Sequence, residues 1–172
     1  MTVRPARPGD AAAIAAVHVS AWRSAYAGLL PDRYLSGLSE TRHAAQQLTA
    51  ILSGHAVFVA EAEGRVVGYC SVGRARRSGI ADGEVETLYV ADDWRERGFG
   101  RALLCAGAGR LLGIGCGSLF LWVLEGNPAR WFYERMGGKA VARSITPVGG
   151  RGFEQVAYAW APIGQLLQRA QV

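Results

Sequence analysis

A chain of 172 residues suggests one domain over 1–172, long enough to bury a core without disulfides or metals. Half of it is hydrophobic and 19% is charged, which excludes a disordered chain. The net charge of +5 comes mostly from scattered Arg with no dense basic tract, so nucleic acid is not indicated as a partner. Residues 3–6 read as a first strand, and Pro8-Gly9-Asp10 as a turn with Asp10 capping the next helix. Residues 11–26 have helical spacing, with Ile14, Val17, Ala21 and Trp22 on one face. Pro31-Asp32 opens a second helical segment carrying Tyr34, Leu35 and Leu38, and residues 41–52 form a third. The period then changes. Residues 56–60 and 66–72 read as strands joined by a hairpin at Glu63-Gly64. Residues 74–83 are a polar connection, and 84–90 are the next strand. After a break at 91–93 comes a helix over 98–112, then a buried-type strand over 119–124. Pro128 starts a helix through Trp131, Phe132 and Tyr133 that Gly137-Gly138 ends. Residues 140–145 and 154–160 are two last strands, 146–152 a flexible loop between them, and 162–172 a C-terminal tail. This order gives an α/β (α+β) mixed sheet and not a doubly wound one.

No apolar run is long enough to span a bilayer, and no apolar stretch follows the N-terminal charge. A cytoplasmic protein with no membrane partner is expected. Cys70, Cys105 and Cys116 are odd in number and lack CxxC spacing, so reduced thiols are expected and not a disulfide framework or zinc knuckle. His18, His43 and His55 are scattered without ligand spacing, so no metal site is expected.

The first stretch that carries chemistry is Arg95-Glu96-Arg97-Gly98-Phe99-Gly100, between a strand and a helix. Glycines let the backbone approach a ligand, and the first turn of a helix offers unpaired N–H groups and a positive dipole end. Together they make an anion cradle, although an ordinary strand–helix turn has the same pattern. Arg101-Ala102 stands where a P-loop has Lys-Ser/Thr, which disfavours a nucleoside triphosphatase. Leu103 takes the place of the third glycine of a dinucleotide fingerprint.

Residues 88–104, from Leu88-Tyr89-Val90 through the glycine loop to Leu104, resemble the acetyl-CoA motif of the GNAT superfamily of N-acetyltransferases. A second stretch, 121–138, with Asn127 and Phe132-Tyr133-Glu134-Arg135, resembles the strand, Asn and following helix of that family. The first helix with Trp22, Tyr26, Gly28 and Pro31 is similar to many members, so the resemblance covers nearly the whole chain. It implies a mostly antiparallel twisted sheet, flanked by helices, that splays open between strands 84–90 and 119–124 to admit acetyl-CoA. Leu88, Tyr89 and Val90 would offer backbone groups to the pantetheine arm. Arg95, Glu96, Arg97, Gly98, Phe99, Gly100 and Arg101 would bind the pyrophosphate. Asn127 would contact the cofactor, unless it is only a helix cap. Trp22 and Tyr26 are either core residues or walls of the acceptor groove. Arg74-Ala75-Arg76-Arg77 is a solvated loop or a contact for acidic substrate or the CoA 3′-phosphate.

The chemistry follows from the substrates. An alkyl amine is protonated at neutral pH and must lose a proton before it attacks a thioester. Glu84 and Glu86 lie two apart on one strand and share a face. In the family, a strand carboxylate here often faces the acceptor; Glu84 matches the better-known position and Glu86 is its rival. A backbone N–H near Val90 would polarise the carbonyl. Tyr133 is the family's usual general acid toward the departing thiolate, and a phenol is protonated at neutral pH. No cysteine lies in either motif, so direct attack is expected over ping-pong chemistry. Three departures stand out: Ala91-Asp92-Asp93 replaces a common turn, Pro128 follows Asn127, and Gly138 sits where relatives often carry Phe. The last implies a missing hydrophobic plug. The resulting expectation is an N-acetyltransferase for an unidentified amine; the alternative is a non-catalytic acyl-CoA-binding sensor on the same scaffold. Look-alikes commonly dimerise through the final strands, which leaves a homodimer open.

Overall fold

The structure, a computed structural model, describes residues 1–76 and 79–169. In chain order it has β1 (Thr2–Pro5), α1 (Ala11–Ala25), α2 (Asp32–Ser36), α3 (Glu40–Leu52), β2 (Ala56–Ala62), β3 (Arg65–Arg74) and β4 (Gly83–Val90). Then follow α4 (Phe99–Gly113), β5 (Leu119–Leu124), α5 (Ala129–Arg135), β6 (Lys139–Val148), β7 (Arg151–Trp160) and α6 (Ile163–Arg169). The seven strands form one sheet in the order β1-β2-β3-β4-β5-β7-β6. Every neighbour pair is antiparallel except β4 and β5, which run parallel. This is the expected mixed, mostly antiparallel sheet flanked by helices.

Strand alternation decides what each face buries. On one face α4 inserts Leu103, Leu104 and Leu111 against Cys70 and Val72 of β3, Val85 of β4 and Leu119, Leu121 and Val123 of β5. All three leucines are fully buried, each contributing about 1.5–3 kcal/mol of apolar transfer. Glycines let the layers close. A Cβ on Gly107 would lie 2.7 Å from Val72, and one on Gly68 would lie 2.9 Å from the Tyr89 carbonyl. On the other face α1 covers the β1–β4 half with Ile14 and Val17 against Val57, Val59 and Tyr69. The β3–β4 connection covers the other half, where Ala75, Ile80 and Ala81 pack near Phe120, Ala157 and Ala159.

Four local expectations change. Asp10 does not cap α1 with its side chain, because Arg4 is the stronger partner: the carboxylate takes a two-point pair from that guanidinium at 2.8 and 3.0 Å, plus the Arg7 N–H. Residues 146–152 are not a loop. β6 and β7 run through them, and Gly149 and Gly150, both at positive φ, form a two-residue hairpin turn. The plug expected to be missing at Gly138 is supplied by Trp160. Its ring would meet a Cβ there at 2.7 Å, and its Nε1 donates to the Met136 carbonyl at 2.9 Å. Finally, the stretch read as a tail contains α6, whose Ile163 and Leu166 are fully buried, while residues 170–172 lie outside the described residues. Among the described residues, no helix is long and apolar enough to cross a membrane.

Candidate active site

The site begins with a failure of pairing. β4 and β5 are matched only at Gly83–Leu119 and Glu84–Phe120, and then diverge. β4 stays paired with β3 along its whole length, but one residue out of step: Ser71 faces Thr87 and Val72 faces Val85, so Glu86 is the extra residue of a bulge. A bulge bends its strand and raises the local twist, which turns β4 away from β5. Beyond Glu84 the far edge of β4 has no strand partner among the described residues.

The wedge is a cleft of about 590 Å³. Its β4 wall carries Glu86, Thr87, Leu88, Tyr89 and Val90, and its β5 wall carries Leu121, Trp122 and Val123. One end is closed by Arg95, Glu96, Gly98, Gly100 and Arg101, and the other side by Tyr26, Asn127 and Tyr133. Most of the residues marked from the sequence are therefore brought together.

The glycine loop has the geometry of an anion cradle. Glu96 (φ 60) and Gly98 (φ 86) both adopt left-handed backbone just before α4, a turn type that suits an anion at a helix start. A Cβ on Gly98 would meet nothing within 4 Å, so the space before the helix start is open. Arg95 is held by Asp92 at 2.7 Å. Two loop side chains do not reach the cleft. Arg97 lies over the Trp94 ring at 5.0 Å, and Phe99 packs edge-on to Trp94 in the core. They shape the loop through packing, and only their backbone is near the cradle.

Asn127 is buried and serves two masters. Its Oδ1 accepts the Ala129 N–H at 2.9 Å, capping the start of α5, and its Nδ2 donates to the Tyr26 hydroxyl at 3.2 Å. Tyr26 is 5% exposed, so it is part of the cleft floor. Tyr133 is 7% exposed and faces the cleft; burial, with the nearby Tyr26 second, pushes its phenol well above the usual range and keeps it protonated. Trp22 does not line the cleft; it packs against Tyr26, His18 and Tyr34.

The two glutamates differ. Glu84 sits where β4 is still paired with β5 and does not line the cleft. Burial, then the Glu86 charge, raises its carboxyl above the usual range. Glu86 does line the cleft. Its Oε2 meets His55 Nε2 at 2.7 Å and its Oε1 takes a bond from Arg76 at 3.1 Å. Of the Arg74–Arg77 run, Arg74 instead donates to the Ile114 carbonyl, and Arg77 lies outside the described residues.

Sequence reasoning missed several lining residues. Trp131 reads as packing but is 60% exposed at the cleft mouth. Trp122 could have been found, since it alternates with Leu121 and Val123, which face the core. His55, which pairs with Glu86 without lining the cleft, gave no signal, because its partner is 31 residues away on another element. Among the described residues, no group of three or more His, Cys, Asp or Glu side chains is placed to hold a metal ion. The three cysteines are free, and burial raises the thiols of Cys70 and Cys105.

A family model described as the acetyltransferase (GNAT) domain matches residues 53–137. The chain is 36% identical over 169 residues to YuaI of Bacillus subtilis, an uncharacterized N-acetyltransferase, with 96% of each covered. Two solved structures share the fold. The GCN5-related N-acetyltransferase from Rhodopseudomonas palustris superposes with a TM-score of 0.74 at 22% identity, covering 93% of this chain and 94% of that one. A GNAT superfamily phosphinothricin acetyltransferase from Sinorhizobium meliloti, solved with acetyl-CoA, superposes with a TM-score of 0.69 at 21% identity, covering 94% and 88%.

Proposed function

The chain belongs to the GNAT family of acetyltransferases, and on that premise we propose that residues 1–172 act as one domain moving an acetyl group from acetyl-CoA to a primary amine. The amine belongs to a small molecule or peptide, and it attacks the thioester directly. The observation that carries this reading is the wedge between β4 and β5, which has an anion cradle at one end and Glu86 and Tyr133 on its walls.

The residues fit acetyl-CoA. The unpaired edge of β4 past Glu84 offers backbone groups to the amides of a pantetheine arm, as a strand would. The open space at Gly98, the left-handed turn before it and the positive end of α4 suit a pyrophosphate. Arg95 and Arg101 add positive charge at the same end.

Glu86 is the base in this reading, because Glu86 lines the cleft and Glu84 does not. It removes the proton from the acceptor ammonium, directly or through water. The free amine attacks the thioester carbon, and a backbone N–H near Val90 donates to the developing oxyanion. The C–S bond breaks, Tyr133 donates its phenolic proton to the departing thiolate, and the second proton that the nitrogen loses on becoming an amide restores the phenol. Direct attack is supported by the cysteines, none of which lines the cleft.

The test is thiol release from acetyl-CoA across a panel of amines, with calorimetry of acetyl-CoA binding alongside. Release with at least one amine is expected. Binding without release across a broad panel would overturn the catalytic reading and support a non-catalytic acyl-CoA sensor. A homodimer through β6 is part of the proposal: it is the edge strand and exposes Val141 and Ile145. A monomer by sedimentation would remove that part.

A further inference from the structure

The transfer has a proton to dispose of. A protonated amine and a thioester become an amide, a thiol and one free proton. Tyr133 returns a proton to sulfur, so the proton taken from the amine must leave the cleft by another route. Glu86 is a poor terminus for it, since a carboxyl that stays protonated cannot act in the next turnover.

The surroundings of Glu86 supply a route. His55 follows Gly54, whose positive φ closes α3, and the His55 N–H is fixed to the Ala50 carbonyl at 3.0 Å. This turn delivers the imidazole Nε2 to 2.7 Å from Glu86 Oε2. Gly73 of β3 lies alongside the pair: a Cβ there would be in ordinary contact, 3.4 Å from His55 Cε1 and 3.5 Å from Glu86 Oε1. The His55 side chain is 30% exposed and that of Glu86 19%, and only Glu86 lines the cleft. The pair thus has one end in the cleft and the other toward water. Among the described residues, the other charged and titratable groups around it are Arg76 from the β3–β4 connection, Glu84 on β4 and the Cys70 thiol on β3. Arg76 is 78% exposed, and a pair that open to water holds weakly, so it can yield when the carboxylate takes a proton.

We infer that His55 is a positioning residue that relays to solvent the proton Glu86 takes from the acceptor amine. The amine N–H bond breaks as a Glu86 O–H bond forms. That O–H breaks as an N–H forms on His55, and the imidazolium loses a proton to water, restoring the carboxylate. This rests on the assignment of Glu86 as base.

Three variants test it, with the amine that releases CoA fastest in the panel above as acceptor. His55→Gln keeps a hydrogen-bond donor near Glu86 but cannot carry a proton, and is expected to lower kcat about tenfold. KM for acetyl-CoA should stay put, and the basic limb of the pH profile should change. His55→Ala should regain turnover as imidazole is added to the buffer, and not with an equal concentration of a non-basic salt. Wild-type kcat and pH profile in His55→Gln, or no imidazole rescue of a folded His55→Ala, would overturn the relay. If His55→Ala does not fold, His55→Gln decides alone. Glu86→Gln separates the two layers. If it is inactive while His55→Gln is unimpaired, only the relay fails; if it is fully active, the base assignment fails and the relay with it.

Discussion

The Tyr26 hydroxyl accepts a hydrogen bond from Asn127 Nδ2 at 3.2 Å, joining the end of α1 to the start of α5 across 101 positions of chain. Because Asn127 also caps α5 through Ala129, one buried amide fixes both the floor of the cleft and the helix that carries Tyr133. Asn127→Ala should cost about 1–3 kcal/mol, from a lost cap and a buried hydroxyl left short of a donor. Tyr26→Phe should cost less, about 1 kcal/mol. A double-mutant cycle in urea should give a coupling of at least about 0.5 kcal/mol. Additive losses would mean that the two side chains do not support each other.

Tyr133→Phe keeps the ring and removes only the hydroxyl. Turnover should fall about 100-fold, with acetyl-CoA affinity nearly unchanged, because the phenol acts on the leaving group and not on the bound ground state. Equal turnover in single-turnover kinetics would remove the general-acid role.

Gly98→Val tests the cradle. The backbone there has φ 86, which costs an L-residue about 1–2 kcal/mol, and more for a β-branched one. No protein atom lies within 4 Å of a Cβ, so the added methyls fall in the space assigned to the pyrophosphate. Acetyl-CoA binding by calorimetry should weaken tenfold or more, about 1.4 kcal/mol. Unchanged affinity would take the loop out of the binding site.

His18 makes stability depend on pH. It is 8% exposed, its Nδ1 lies 2.5 Å from the Tyr69 hydroxyl, and the His43 ring is 4.2 Å away. Burial, with the charge of His43 second, holds the imidazole down at about 4 from an ordinary 6.5. The unfolded chain therefore binds the extra proton first. The stabilisation is complete above about 6.5 and is lost as pH falls toward 4, up to about 3 kcal/mol over that window. Urea midpoints of the wild type should fall across it, and His18→Gln should flatten the slope. Identical pH dependence in the two proteins would show that His18 is not the group responsible.

Much of this was legible in the sequence, for identifiable reasons. The unbroken apolar run of β5 announces a buried strand, because a strand covered on both faces carries apolar residues without alternation. The glycine loop was legible because open backbone and a helix start leave a composition mark. What was hidden depends on contacts between distant segments. Nothing local distinguishes Glu84 from Glu86; the bulge that separates them is a mismatch in register with β3. His55 is found only once the turn after α3 is folded against Gly73. Arg97 and Phe99 look like ligand residues because they flank Gly98, but Trp94 captures both. The hairpin at Gly149-Gly150 looks like slack chain because the same glycines that loosen a loop also permit a tight turn.

The two-residue seam between β4 and β5 has a further consequence. The outer edges of β1 and β6 face away from the sheet, but the free edge of β4 between Val85 and Val90 lies inside it, and the outward amides there wait for a neighbour. In deuterated water these amides should exchange early and slow down when acetyl-CoA is added, as though an eighth strand had been laid into the sheet. The slot would then double as a built-in reporter of occupancy, readable amide by amide and before any acceptor is known.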